Sequence, residues 1–195
     1  MTQQTNHIFT GHEAAIAYAL AAERIFGNDY DFLNTNPPVV PIFVSQLFQS
    51  LEISIKHAGI ASGLFTEGEA RARAMRSGHG IKELATLAVE ELGGDPFEPI
   101  LMAMTHFNTH QNSKEVIRQM ICGKEFEKTR ECYASRSLGY AQVCNGDFAL
   151  ITDIPSWIAA VKETASNLPK IIDILSQWKA SPSKSKHFAI WVRGL

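Results

Sequence analysis

The chain has 195 residues, enough for one domain with short appendages. Hydrophobic residues make up 45% of it and charged residues 19%, which excludes a globally disordered chain. A net charge of −2 with histidine neutral leaves no overall basic field for non-specific nucleic-acid binding, and no run of about 18 apolar residues offers a membrane span.

Residues 1–10 are polar and are expected to be a flexible N-terminus. The opening MTQQTNHIFTGHE carries no apolar stretch of the secretory type. Cys122, Cys132 and Cys144 are odd in number and too far apart for a CxxC site. The expectation is therefore a cytoplasmic protein with reduced thiols. From Gly11 to Phe26, the residues Ala14, Ala15, Tyr18, Ala19, Ala22, Ile25 and Phe26 trace one helical face, ended by Gly27-Asn28. Alanine there lets a neighbouring backbone come close. Asp29 to Pro41, with Asn34-Thr35-Asn36-Pro37-Pro38 inside it, is expected to be an irregular connection.

Val44 to Leu64 is the organising helix. Val44, Leu47, Phe48, Leu51, Ile55 and Ala58 form its main apolar stripe, with Ser45, Gln49, Glu52 and Lys56 as a polar stripe beside it. Ile53 and Ile60 lie on the far side, so apolar contacts are expected in two directions, toward the Ile81 and Trp157–Trp178 helices. The charged stretch Thr66 to Gly80 reads as either a helical extension or a loop, Gly68, Gly78 and Gly80 favouring irregular ends. Ile81 to Leu92 is a helix burying Ile81, Leu84, Ala85, Ala88 and Leu92, stopped by Gly93-Gly94.

A short helix is expected over Ile100 to Phe107. Asn112 with Glu115 resembles a capping box for another helix over Ser113 to Cys122. Lys124 to Val143 is assigned helix, and Asn145-Gly146-Asp147 a turn. Trp157, Val161, Thr164, Leu168, Ile171, Leu175 and Trp178 then recur in steps of four and three. Pro169 either kinks this helix or follows a break at Asn167, and the kept phase favours a kink. SPSKSKH reads as a linker, and FAIWVRGL as a short strand or tucked arm. The fold class is thus all-α, an up-and-down bundle of about five to seven helices over 11–179 with a tail at 180–195.

With the helices in place, SLEISIK (Ser50 to Lys56), a variable charged stretch and GHGIKELATLA (Gly78 to Ala88) resemble the HEPN superfamily over Ile42 to Leu92. The resemblance implies an up-and-down helical bundle, often dimeric, with Glu52, Lys56 and His79 as its structural motif. It also implies RNA or nucleotide binding or processing within a toxin–antitoxin, defence or stress module, and a partner protein encoded nearby. Where such domains are enzymes they are metal-independent ribonucleases with an Arg-x(4–6)-His motif later in the bundle. No histidine follows Arg130 or Arg136 at that spacing here. Arg73 and His79 have the Arg-x5-His spacing and form the candidate catalytic pair, although they precede a different helix.

Candidate RNA- or nucleotide-binding residues are Lys56, Arg71, Arg76, Arg130 and Arg136, which suit phosphate, with Tyr133 and Tyr140 suited to stacking. Plainer readings stand beside these. Glu52 and Lys56 are an i,i+4 pair worth roughly 0.2–0.5 kcal/mol, His79 can cap a helix start, and Arg71, Arg73 and Arg76 form a basic cluster in a loop next to Glu67 and Glu69. His106 and His110, four apart, would share a helical face as metal ligands do, but no acidic residue stands beside them at a useful spacing. No metal or cofactor is expected. A homodimer is, and the alternative function is a non-enzymatic, homodimeric ligand-binding or interaction module.

Overall fold

The computed structural model describes residues 10–36, 38–77, 81–92, 98–122 and 153–180. Among these residues there are nine helices and no strand: α1 (Gly11–Phe26), α2 (Tyr30–Thr35), α3 (Val39–Ala61), α4 (Glu67–Ser77), α5 (Ile81–Leu92), α6 (Glu98–Thr105), α7 (Ser113–Cys122), α8 (Ile154–Ser166) and α9 (Leu168–Ala180). The class is all-α. No helix among the described residues is long and apolar enough to cross a membrane. The expected helix over Lys124 to Val143, the turn at Asn145-Gly146-Asp147 and the expected strand or arm in the tail lie outside the described residues.

Thr10 opens α1 with a reciprocal capping box: its hydroxyl accepts from the Glu13 N–H at 3.2 Å, and Glu13 accepts from the Thr10 N–H at 2.8 Å. Gly27 closes the helix at φ 54, a left-handed conformation that costs glycine nothing. Ala15, Ala19, Ala22 and Phe26 are its buried stripe. The three alanines bring α1 close enough to α3 for the Ser50 hydroxyl to donate to the Ala15 carbonyl at 2.8 Å. Ser54 donates back along α3 to the Ser50 carbonyl at 2.7 Å, so both buried hydroxyls are satisfied.

Two connections turn out to be helical. Asp29 caps α2 by accepting from the Phe32 N–H at 2.8 Å, within the stretch expected to be irregular. The prolines do not forbid this, because α2 ends at Thr35, before them. α3 likewise begins at Val39, five residues earlier than expected, with Pro38 as N-cap and Pro41 in the first turn, where a missing N–H is harmless. The charged stretch forms α4, opened by a second capping box in which Thr66 and Glu69 exchange bonds of 3.2 and 2.7 Å. The arginine cluster at 71, 73 and 76 therefore sits on a helix and not in a loop. Those two short helices, and a break at Asn167 that divides the long C-terminal stripe into α8 and α9, raise the number of helices above the expected five to seven.

Helix α3 packs against α1, α4, α5, α8 and α9. Its apolar residues Phe43, Val44, Leu47, Phe48, Leu51, Ile55 and Ala58 are buried, and of the polar stripe Ser45 is buried while Gln49, Glu52 and Lys56 are half-buried. The expected partners α5, α8 and α9 are present, and α1 makes the most extensive contact. α3 ends in a Schellman motif: Gly63 N–H donates to Ile60 at 3.0 Å and Leu64 N–H to Gly59 at 2.9 Å, with Gly63 at φ 72. Lys179, in the last turn of α9, donates to the Gly63 carbonyl and ties the two C-terminal ends together. Trp157, Val161, Thr164, Leu168, Ile171 and Leu175 are buried, so the four-and-three stripe is core, and Trp178 packs half-buried at its edge.

Candidate functional site

Two helix faces meet in a cleft of about 950 Å³. From α1 and its C-cap come Leu20, Glu23, Arg24 and Gly27, which share one helical face. Pro155, Ile158, Ala159, Lys162, Glu163 and Ser166 likewise share one face of α8. Phe26 and Ile158 make a buried apolar floor, and Leu20 stands 44% exposed at the edge. Across the cleft, Lys162 Nζ meets both carboxylate oxygens of Glu23 at 2.9 Å. This pair is half exposed, so it contributes at most about 1 kcal/mol. Arg24 is exposed and, among the described residues, has no hydrogen bond or ion pair of its own.

Behind the cleft, residues 106–112 between α6 and α7 are strapped to α8 by side-chain bonds. The Asn108 amide donates to the Ala160 carbonyl at 3.1 Å and to Thr164 Oγ1 at 3.0 Å. Glu163 accepts from the Thr109 hydroxyl at 2.6 Å, the Thr109 N–H at 2.8 Å and the His110 N–H at 3.2 Å. Burial pushes the Glu163 carboxyl up, but the Thr109 hydroxyl and these two N–H groups outweigh it and hold the acid below its ordinary range. Asn167 donates to the Phe107 carbonyl at 3.3 Å, and Thr164 to that of Met104 at 3.1 Å.

The same strap brings a serine, a histidine and an aspartate together. Ser156 Oγ lies 3.2 Å from His110 Nε2 and donates to the carboxylate of Asp153, the N-cap of α8. His110 Nδ1 accepts from the Asn112 N–H at 3.4 Å, which assigns the ring proton to Nε2. Protons then point from His110 to Ser156 to Asp153, the reverse of what a histidine base needs to activate a serine. Ser156 is also only 5% exposed. The constellation is a helix cap joined to a loop. The Ser156 hydroxyl and N–H, with His110 nearby, keep the Asp153 carboxyl below its usual range.

Of the residues singled out from the sequence, Glu52 and Lys56 lie one turn apart on α3, half-buried, and Arg71 is exposed on α4. None of these three lines the cleft. Arg73 and Arg76 fall on α4 with side chains outside the described residues, and His79, Arg130, Arg136, Tyr133 and Tyr140 lie outside them altogether. The structure therefore does not bring the candidate catalytic pair into view.

His106 and His110 do not share a helical face, because α6 ends at Thr105. His106 stacks edge-on against Phe107 with ring centres 4.7 Å apart, while His110 turns to Ser156. Among the described residues no group of three or more potential metal ligands converges.

The cleft was missed in the sequence because its two walls are 139 residues apart at the Glu23–Lys162 pair. The available signal was Leu20, an apolar residue on the otherwise wet face of α1. Compared with protein-family models, with curated proteins and with solved structures, the chain matches none.

Proposed function

We propose that this protein is a ligand-binding helical module whose site is the cleft between α1 and α8. The observation that carries this reading is the cleft itself, with an apolar floor of Phe26 and Ile158 under a rim of Glu23, Arg24 and Lys162. Its volume falls in the range of small-molecule sites, and apolar walls with a few polar groups are how such sites combine affinity with orientation. Nuclear magnetic resonance with an amphipathic fragment set provides the test. Shifts should gather at Leu20, Arg24, Ala159 and Lys162; shifts gathered on another face would sink the reading.

A second reading, RNA or nucleotide processing in a toxin–antitoxin, defence or stress setting, is supported by the order of Glu52, Lys56 and His79 and by exposed Arg71 on α4. It would use Arg73 and His79 as the catalytic pair of a metal-independent ribonuclease, in a homodimer. Incubation with total RNA beside an Arg73→Ala/His79→Ala variant decides it. Absence of cleavage, or equal cleavage by the variant, removes the pair as a site, and a monomer in light scattering at micromolar concentration removes the dimer.

A further inference from the structure

Resting on the cleft reading above, we infer that the ligand is an amphipathic carboxylate. Its anionic head is set between Arg24 and Lys162 in the place that the Glu23 carboxylate occupies, and its apolar body lies along Leu20 and Ile158. Three features of the cleft lead there. First, Lys162 already holds a carboxylate through both oxygens at 2.9 Å, so the geometry for such a head exists and Glu23 is its internal occupant. Second, the pair is half exposed and thus weakly held, which makes exchange of one carboxylate for another cheap. Third, Arg24 adds to the α1 wall a guanidinium that has no partner among the described residues, while Glu163, the other acid of the cleft, is already satisfied by three donors from the strap. A cationic ligand could reach Glu23 only by displacing Lys162 and would still face Arg24, and a neutral one would leave Arg24 unused.

Calorimetric titration of the full chain with decanoate, decanol and decylamine at about pH 7.5 tests the inference, since the carboxylate is then ionised. Decanoate should bind at least tenfold more tightly than the other two. Arg24→Gln and Lys162→Met should each weaken decanoate about fivefold, a loss of the size a charged hydrogen bond at a half-exposed site supports. Glu23→Gln should instead strengthen it about threefold, because the internal competitor is removed, an effect that a purely structural ion pair would not produce. All of these positions are exposed enough for circular dichroism to show an unchanged fold. Decanol binding as tightly as decanoate, or weaker decanoate binding by Glu23→Gln, overturns the carboxylate while leaving the cleft, provided Leu20→Asp reduces binding. Binding indifferent to Leu20→Asp, or no heat from any of the three compounds, overturns the cleft as well.

Discussion

Single residues set several tolerances sharply. Gly59, inside α3, faces the ring of Phe65: a Cβ at that position would lie 2.1 Å from it, so one side chain has to move. Gly59→Ala should therefore cost about 1–3 kcal/mol through overpacking, read as a lower urea midpoint. Gly68, in the first turn of α4, has nothing nearer than Thr66 Oγ1 at 3.9 Å. Gly68→Ala should stabilise the fold by about 0.5 kcal/mol, read as a higher urea midpoint, since alanine is the better helix former and nothing obstructs it. A histidine supplies a pH dependence. Burial and then the nearby His12 hold His57 below its ordinary value, and its ring packs directly on Gly11. The unfolded chain then takes up a proton near pH 6.5 that the folded one resists. The contribution is fully present well above that value and is lost as pH falls through it toward the lower folded value. A His57→Gln variant should flatten this part of the profile; an unchanged slope would refute the assignment.

At the scale of elements, the strap between 106–112 and α8 governs local order. Asn108→Ala removes two donors at once and leaves the Ala160 carbonyl and Thr164 hydroxyl with one partner fewer, an expected loss of about 1–2 kcal/mol. Faster amide exchange at Thr109 and His110 is the specific readout. Asp153 and Glu163 are both held below their ordinary values, so the strap contributes stability above the unfolded carboxylate range of about 3.9–4.3 and loses it as pH falls through the lower folded values. The protection of the Thr109 and His110 amides, taken relative to the intrinsic exchange rate at each pH, should accordingly fall below about pH 4, separately from the His57 transition.

Across the molecule, α3 is the shared partner. Leu51, fully buried in it, should cost about 2–5 kcal/mol on truncation to alanine, and far- and near-ultraviolet dichroism should lose structure together if the helices around α3 unfold as one unit. Two separated transitions would show that α8 and α9 hold together without it. The whole also explains what the chain made legible. The expected bounds of α1, α5 and α7 agree with the structure residue for residue. In each, an apolar stripe coincides with a stop signal in the same few residues. α4 is ambiguous in the sequence because glycine and arginine mask the Thr66–Glu69 capping box, and α2 is hidden by the prolines that follow it.

Helix class, the central place of α3 and the buried four-and-three stripe were determined by the sequence alone, because caps, glycine stops and a 3.6-residue period all act within one turn of the chain. Which faces meet was decided only by the tertiary structure. The alanine seam that puts Ser50 on the Ala15 carbonyl, the strap that turns His110 to Ser156, and the cleft spanned by Glu23 and Lys162 join segments 35, 46 and 139 residues apart. No local pattern encodes such pairs; they follow from how close two helices can pack once their small and large side chains have been matched.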